Sequence, residues 1–171
     1  GVYYDFIVDF ADGASFRSAD PWARAAGING RRSMVVDLPR TDPEGWAGDE
    51  RPHTPLSETM VWEAHVGSFS NNPHGGFPKE HQGKFLAFTD AQTSLDGGGT
   101  FPTGIAYLKR LGVTAVQLLP FYDYGSVDES DARQFNWGYD PLNYNVPEGS
   151  FSTDPYDGAV RITECKRMIQ A

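Results

Sequence analysis

The chain reads as an α/β protein in which a short β-rich stretch precedes the opening of a larger α/β domain. Three observations carry that expectation: a β-type run at the N-terminus, a stretch punctuated by proline and glycine after it, and a strand–helix–strand–helix order from Thr59 onward.

Residues 1–38 read as β. The run Val2 to Phe10 (VYYDFIVDF) is rich in aromatic and β-branched side chains, Asp12-Gly13 is a hairpin turn signal, and Ala14-Ser15-Phe16 forms the return strand. Asn29-Gly30 marks a second turn before the apolar run Met34-Val35-Val36. Such short strands suit the end of a β-sandwich whose earlier strands lie upstream. Residues 39–58 carry Pro39, Pro43, Pro52, Pro55, Gly45 and Gly48 in a polar context and read as a linker.

Residues 59–171 read as α/β. Met60 to Val66 is a strand, followed by a long Gly-rich loop from Asn71 to Pro102. The spacing of Ile105, Leu108 and Leu111 predicts a helix over 103–111, with Gly112 just past its end. Val113 to Leu119 is almost continuously apolar and stops at Pro120, as expected of a strand buried on both faces. A second long loop, Phe121 to Thr153, leads to a helix opened by Asp154 as N-cap, Pro155 in the first turn and Asp157 near the positive end of the dipole. Ala159, Ile162, Cys165 and Ile169 give that helix its apolar face. Both long loops leave the C-terminal ends of strands, the side on which α/β folds build sites. Two parallel strands cannot bury themselves and two helices, so the expectation is an incomplete α/β domain. No initiating Met and no signal-like segment stands at Gly1, which places the expected true N-terminus upstream and leaves the compartment unread.

With 171 residues, a net charge of −9 and no block of Lys or Arg, the chain is ill suited to phosphate backbones or anionic membranes; a neutral ligand fits better. No stretch approaches about 18 uninterrupted apolar residues. The single cysteine, Cys165, excludes an internal disulfide and lies on an apolar stripe, which favours a buried, inert thiol. The 23 aromatic residues serve the core first, yet such rings also stack on sugars.

Candidate acids for glycoside chemistry are Glu63 on the first α/β strand and Asp123, Asp128, Glu129, Asp131, Asp140 and Glu148 in or near the second loop. Retaining hydrolysis needs two carboxylates about 5–5.5 Å apart, and the spacing of these acids singles out no such pair; Asp140 stands out because it follows an aromatic cluster. Glu63 and His65 point to one side of a strand, where mutual hydrogen bonding is favoured over a site role. The four histidines show no metal-ligand spacing, and nucleotide, P-loop, nucleophile-elbow and paired-cysteine motifs are absent, so no metal or cofactor is expected. The stretch Gln134 to Pro155 is the most informative. Gly138 lets the chain turn between Trp137 and Tyr139, and Asp140-Pro141 stiffens the exit, so the loop reads as a sugar platform or a self-packed Ω-loop.

Phe135-Asn136-Trp137-Gly138-Tyr139-Asp140-Pro141 resembles the heptapeptide Tyr-Asn-Trp-Gly-Tyr-Asp-Pro of type I pullulanases, within the α-amylase family of glycoside hydrolases, at six of seven positions. Asn143 to Ser150, Gln117 to Pro120, Asp157 to Arg161, Ala19 to Trp22 and Gly27 to Gly30 are similar to the same family. The resemblance implies a partial (β/α)8 TIM barrel, its first two βα units, preceded by the last strands of a β-sandwich carbohydrate-binding-type module. The implied division is 1–38 for the sandwich end, 39–58 for the linker and 59–171 for the opening of the barrel.

It also implies an α-glucan substrate, stacking of a glucose ring on Tyr139, and a pocket shaped by Trp137 and Asp140. The family's catalytic carboxylates follow later strands and have no position here, so no catalytic residue is assigned. The remainder of the barrel is then needed for folding and activity, and the isolated chain is expected to be inactive. Two departures stand out. Phe135 lacks the hydroxyl of the usual Tyr, and His65-Val66-Gly67-Ser68-Phe69 lacks the Arg-Asp that relatives commonly carry before the Phe. An isoamylase-like or glucan-branching fragment, or a non-catalytic glucan-binding piece, is the competing reading.

Overall fold

The computed structural model describes all residues from 1 to 171. It is a mixed fold of small sheets and few helices: β1 (Val2–Tyr4), β2 (Phe6–Asp9), β3 (Ser15–Ser18), β4 (Ser33–Val35), β5 (Val61–Ala64), α1 (Val66–Ser70), α2 (Gly104–Leu111), β6 (Ala115–Leu118), β7 (Tyr122–Tyr124), β8 (Pro141–Pro147) and α3 (Gly158–Gln170), with short 3-10 turns between them. The strands pair two by two: β1 with β4, β2 with β3 and β7 with β8 antiparallel, and β5 with β6 parallel.

The run expected as one strand from Val2 to Phe10 is two. Asp5 breaks it, drawn to Arg17 Nε (3.5 Å) and Arg32 Nε (3.6 Å), so the chain leaves one partner strand and joins another. The Asp12-Gly13 turn does close the β2–β3 hairpin, in register from Phe6↔Ser18 to Asp9↔Ser15.

The chain packs as two units: residues 1–41 with 121–163, and residues 42–120 with 164–171. These packing units cut across the sequence boundaries at 38 and 58. In the first, Ala25, Met34 and Ile162 form a buried cluster with Tyr3, Val36 and Ala159 against it, and Ala23, Ala26 and Val146 form another. The loop expected over 121–153 contains the β7–β8 hairpin, whose polar residues hide a strand pattern from sequence alone.

In the second unit, β5 and β6 lie in parallel from Val61↔Ala115 to Ala64↔Leu118, with α2 ending at Gly112 (φ +80°), whose N–H bonds back to the helix. Phe69 stacks on Phe88 with centroids 4.0 Å apart and leans on Phe77, beside the buried Val66, Phe85 and Leu108. The expectation that β6 is buried on both faces fails here. Val116 and Gln117 are exposed, as are Val61 and Trp62; neighbours in a strand point to opposite faces, so neither face of this two-stranded sheet is fully covered. Helix α1, unforeseen because Gly67 and Ser68 are poor helix formers, is started by His65, whose Nδ1 accepts from Ser68 N at 3.1 Å.

Helix α3 begins three residues later than expected. Asp154 Oδ1 accepts from Tyr156 N in a local turn (2.9 Å), and the N-cap is Asp157, which accepts from Ala159 N through Oδ1 (2.8 Å) and from Arg161 N through its carbonyl (3.2 Å). Its buried stripe is Ile162, Cys165 and Met168 rather than Ile169, which is exposed. Burial pushes the Cys165 thiol up to about 12, so it is inert.

Removing the α3 cap by Asp157→Ala is expected to cost about 1 kcal/mol. In the protein carrying this segment, a thermal melt should show a lowered Tm, with a smaller effect for Asp154→Ala.

Candidate functional site

The three residues expected to meet sugar, Trp137, Tyr139 and Asp140, lie in the loop that joins β7 to β8 in the first unit. Trp137 is 60% and Tyr139 70% exposed, and Phe135 packs edge-on to Trp137 with centroids 5.3 Å apart. Gly138 between them has φ +88°, a conformation that costs a side chain-bearing residue strain and glycine none. Asn136 holds the turn: its Oδ1 accepts from Gly138 N (2.8 Å), and its Nδ2 donates to Asp140 Oδ1 (2.8 Å) and to Gly125 O (3.2 Å). Ser126 Oγ donates to Asp140 Oδ2 at 2.6 Å, and Gly125 N donates to Asp140 O at 3.1 Å. These donors, Ser126 first and Asn136 next, hold the Asp140 carboxyl below the usual carboxylate range. Asp140 is therefore an anionic staple at the neck of the loop, with rings left open to solvent on either side of Gly138.

The other acids divide sharply. Asp128 and Asp131 are exposed or half-buried turn residues held ionised by Ser130 and by Arg133 respectively. Glu63 is exposed and accepts from Gln117 Nε2 at 3.3 Å, while His65 caps α1; both line a cleft of about 330 Å3 with Trp62, Phe69 and Tyr107. Asp123, Glu129 and Glu148, by contrast, come together in the interior of the first unit, each offering an oxygen within 4.8 Å of the others.

The positive charge among them is Arg161, fully buried on the first turns of α3. Its Nη1 donates to Asp123 Oδ1 (3.0 Å) and Glu129 Oε1 (3.0 Å), and its Nη2 to Glu129 Oε2 (2.6 Å) and Gly27 O (3.0 Å); Nε reaches Pro155 O (3.1 Å). The Glu129 pairing is a two-pronged fork, the strongest geometry available to a guanidinium. The guanidinium stands where a cation would be needed to balance these acids, and the acids are enclosed, so their separation does not make them a hydrolytic pair.

Every carboxylate oxygen of the three acids accepts from at least one donor. Asn143 Nδ2 donates to Asp123 Oδ2 (2.6 Å) and Gly30 O (3.0 Å), Gly149 N to Glu129 Oε1 (3.1 Å), and Tyr124 N and Ser150 N to Glu148 at 3.0 and 2.8 Å. Asn29 exchanges two bonds with Glu129, its N donating to Oε2 and its Oδ1 accepting from Glu129 N. The close approach fixes Gly30: with φ +61°, a Cβ there would sit 2.1 Å from Asp123 Oδ2.

One guanidinium bonds two carboxyls, and the third, Glu148, lies beside them. Burial, above all, raises Asp123 to about 7, against the lowering pull of Asn143 and Arg161. Burial likewise raises Glu148 to about 7, helped by repulsion from Glu129 and opposed by Ser150 and Tyr124. The sequence named these acids as candidates but not Arg161, the residue that organises them. The available signal was an Arg on the buried stripe of α3, one turn before Cys165 and two before Met168, since a charge there must be paired.

No family model matches the chain. A pullulanase of Bacillus subtilis is 34% identical over 168 residues, which is 97% of this chain and 22% of that protein. Among solved structures, a variant pullulanase of Paenibacillus barengoltzii complexed with maltotriose superposes with a TM-score of 0.91 at 44% identity, covering 98% of this chain and 26% of that one. The chain is homologous to a segment of the pullulanases. The pullulanase of Bacillus acidopullulyticus agrees, with a TM-score of 0.89, 45% identity and coverage of 98% and 20%. The chain thus spans about a quarter or less of these pullulanases.

The carboxyls raised by burial give a signed pH dependence. The folded state keeps protons on Asp123 and Glu148 that an unfolded chain, ionising near 4, has already lost at pH 5 to 6. Their contribution is therefore fully present below about pH 4 and is lost as pH rises to about 7. Melting the protein that carries this segment should give a Tm lower by about 3 °C or more at pH 8 than at pH 5, and Asp123→Asn should flatten that slope. An unchanged slope in the variant would contradict the protonation of Asp123.

Proposed function

We propose that this segment presents α-glucan to the active centre of a pullulanase, a retaining glycoside hydrolase that cleaves α-1,6 branch linkages in pullulan, amylopectin and limit dextrins. The observation that carries the reading is the exposed pair of rings, Trp137 and Tyr139, held apart by Gly138 and stapled by Asp140. Rings standing in solvent on a braced loop suit the apolar face of a glucose unit. The maltotriose complex of the Paenibacillus barengoltzii relative supports an oligosaccharide ligand of this class.

On this reading residues 59–171 supply the first two βα units of a (β/α)8 barrel, residues 39–58 a linker, and residues 1–38 the last strands of a β-sandwich carbohydrate-binding-type module. The exposed Val61, Trp62 and Val116 are then surfaces for the rest of the barrel, which also brings the catalytic carboxylates. Tyr139 stacks on the sugar at the cleavage point, and Trp137 and Asp140 shape the wall beside it.

In the enzyme carrying this segment, maltotriose should be released from pullulan. Tyr139→Ala should lower kcat/KM by more than about tenfold, since stacking and placement of the ring contribute about 1–3 kcal/mol. Unchanged kinetics would remove Tyr139 from the site. Intact pullulan beside debranched amylopectin would favour an isoamylase-like activity instead.

A further inference from the structure

We propose that Arg161 is a positioning residue for the aromatic loop, fixing Trp137 and Tyr139 through Asp123 at the root of the loop and Glu129 within it. The inference rests on the reading of that loop as the sugar platform. Arg161, Asp123, Glu129 and the loop they hold all lie in the first packing unit.

The loop leaves β7 after Tyr124 and returns at Pro141 on β8. Its root is the pair Asp123↔Asn143, directly opposed in register and joined by a 2.6 Å hydrogen bond. Arg161 holds Asp123 from below through Nη1, and with the same nitrogen and Nη2 it grips Glu129, six residues further along. A single side chain thus fixes two points of one loop. From the root the order passes upward: Gly125, two residues past Asp123, bonds Asp140 through its N–H and Asn136 through its carbonyl, and Asn136 sets the Gly138 turn between the two rings. From Glu129 it passes sideways to Asn29, so the loop cannot pivot about its root.

Stability alone does not call for a guanidinium here. Arg161 lies on a face otherwise filled by Ile162, Cys165 and Met168, where apolar packing serves as well as or better than a buried ion pair. What the guanidinium adds is direction. Its planar fork bonds Glu129 with two nitrogens while reaching Asp123 and the carbonyls of Gly27 and Pro155, a geometry that a lysine ammonium with three donors cannot reproduce.

The test compares Arg161→Lys and Glu129→Gln with wild type in the full enzyme carrying this segment. Kinetics are read at least 20 °C below each Tm, and Trp137 is observed by 19F NMR after 5-fluorotryptophan labelling, its resonance assigned with Trp137→Phe. Arg161→Lys is expected to lower kcat on pullulan about tenfold with KM changed less than about threefold, because misplaced rings weaken the transition state more than ground-state binding. The Trp137 resonance should broaden or split. Glu129→Gln, which keeps the guanidinium and loses one charge of the fork, should give a smaller kcat loss of about threefold with the same broadening.

A Trp137 resonance unchanged in both variants, with kcat within twofold of wild type, would overturn the proposal. So would loss of folding in both, which would make the role one of stability. Should Tyr139→Ala leave kinetics unchanged, the platform reading falls, while the Trp137 line shape still decides whether Arg161 orders the loop.

Discussion

A guanidinium enclosed by protein and bonded to two carboxyls, with a third beside them, is the constraint around which the first packing unit is arranged. An unpaired charge in that position would cost many kcal/mol, so the surrounding chain supplies a partner for every donor. That demand explains otherwise odd local features. Asn29 takes a left-handed conformation, and Gly30 leaves no room for a side chain. The carbonyls of Gly27 and Pro155 turn inward. The β7–β8 hairpin is then less a sheet in its own right than the lid of a polar chamber, with register irregularities on either side of Asp123 where the strand bends to reach the arginine.

The two clusters of acids in the second loop show how one residue type is sorted by surroundings. Asp140 stands in solvent with hydroxyl and amide donors aimed at it and stays ionised. Asp123 and Glu148, a few residues away in sequence from such neighbours, are enclosed and retain protons near neutrality. Composition cannot separate them. Only the packing of α3 under the hairpin decides which acids keep water.

Much of the outline was legible in the chain itself. Asp12-Gly13 closes its hairpin, Gly112 ends α2, β5 and β6 pair in parallel, and the turn at Gly138 exposes its two rings, because each depends on neighbours close in sequence or on the period of apolar residues. Elements fixed by distant partners were not legible. The break at Asp5 depends on Arg17 and Arg32, and the strands β7 and β8, rich in Asp, Asn and Pro, pair because Arg161 lies beneath them. The start of α3 was misplaced for a subtler reason. Asp154-Pro155 and Asp157-Gly158 are both good openings, and the inward turn of the Pro155 carbonyl toward Arg161 is served by the later one. The resemblance to pullulanases was readable from seven residues, whereas the buried arginine cluster beneath the loop was not.

The separations bridged by this chamber also bear on how the molecule is made. Asn29 meets Glu129 across 100 residues, and the Gly27 carbonyl meets Arg161 across 134. At a synthesis rate of about 5–20 residues per second, roughly 7–27 s pass between the emergence of residue 27 and that of its partner. During that interval the N-terminal strands leave the ribosome with the polar groups of the Gly27–Gly30 turn unanswered and with Ala25 and Met34 lacking the Ile162 that completes their buried cluster. A nascent chain of this kind is a client for chaperones until the helix that carries its counter-charge arrives.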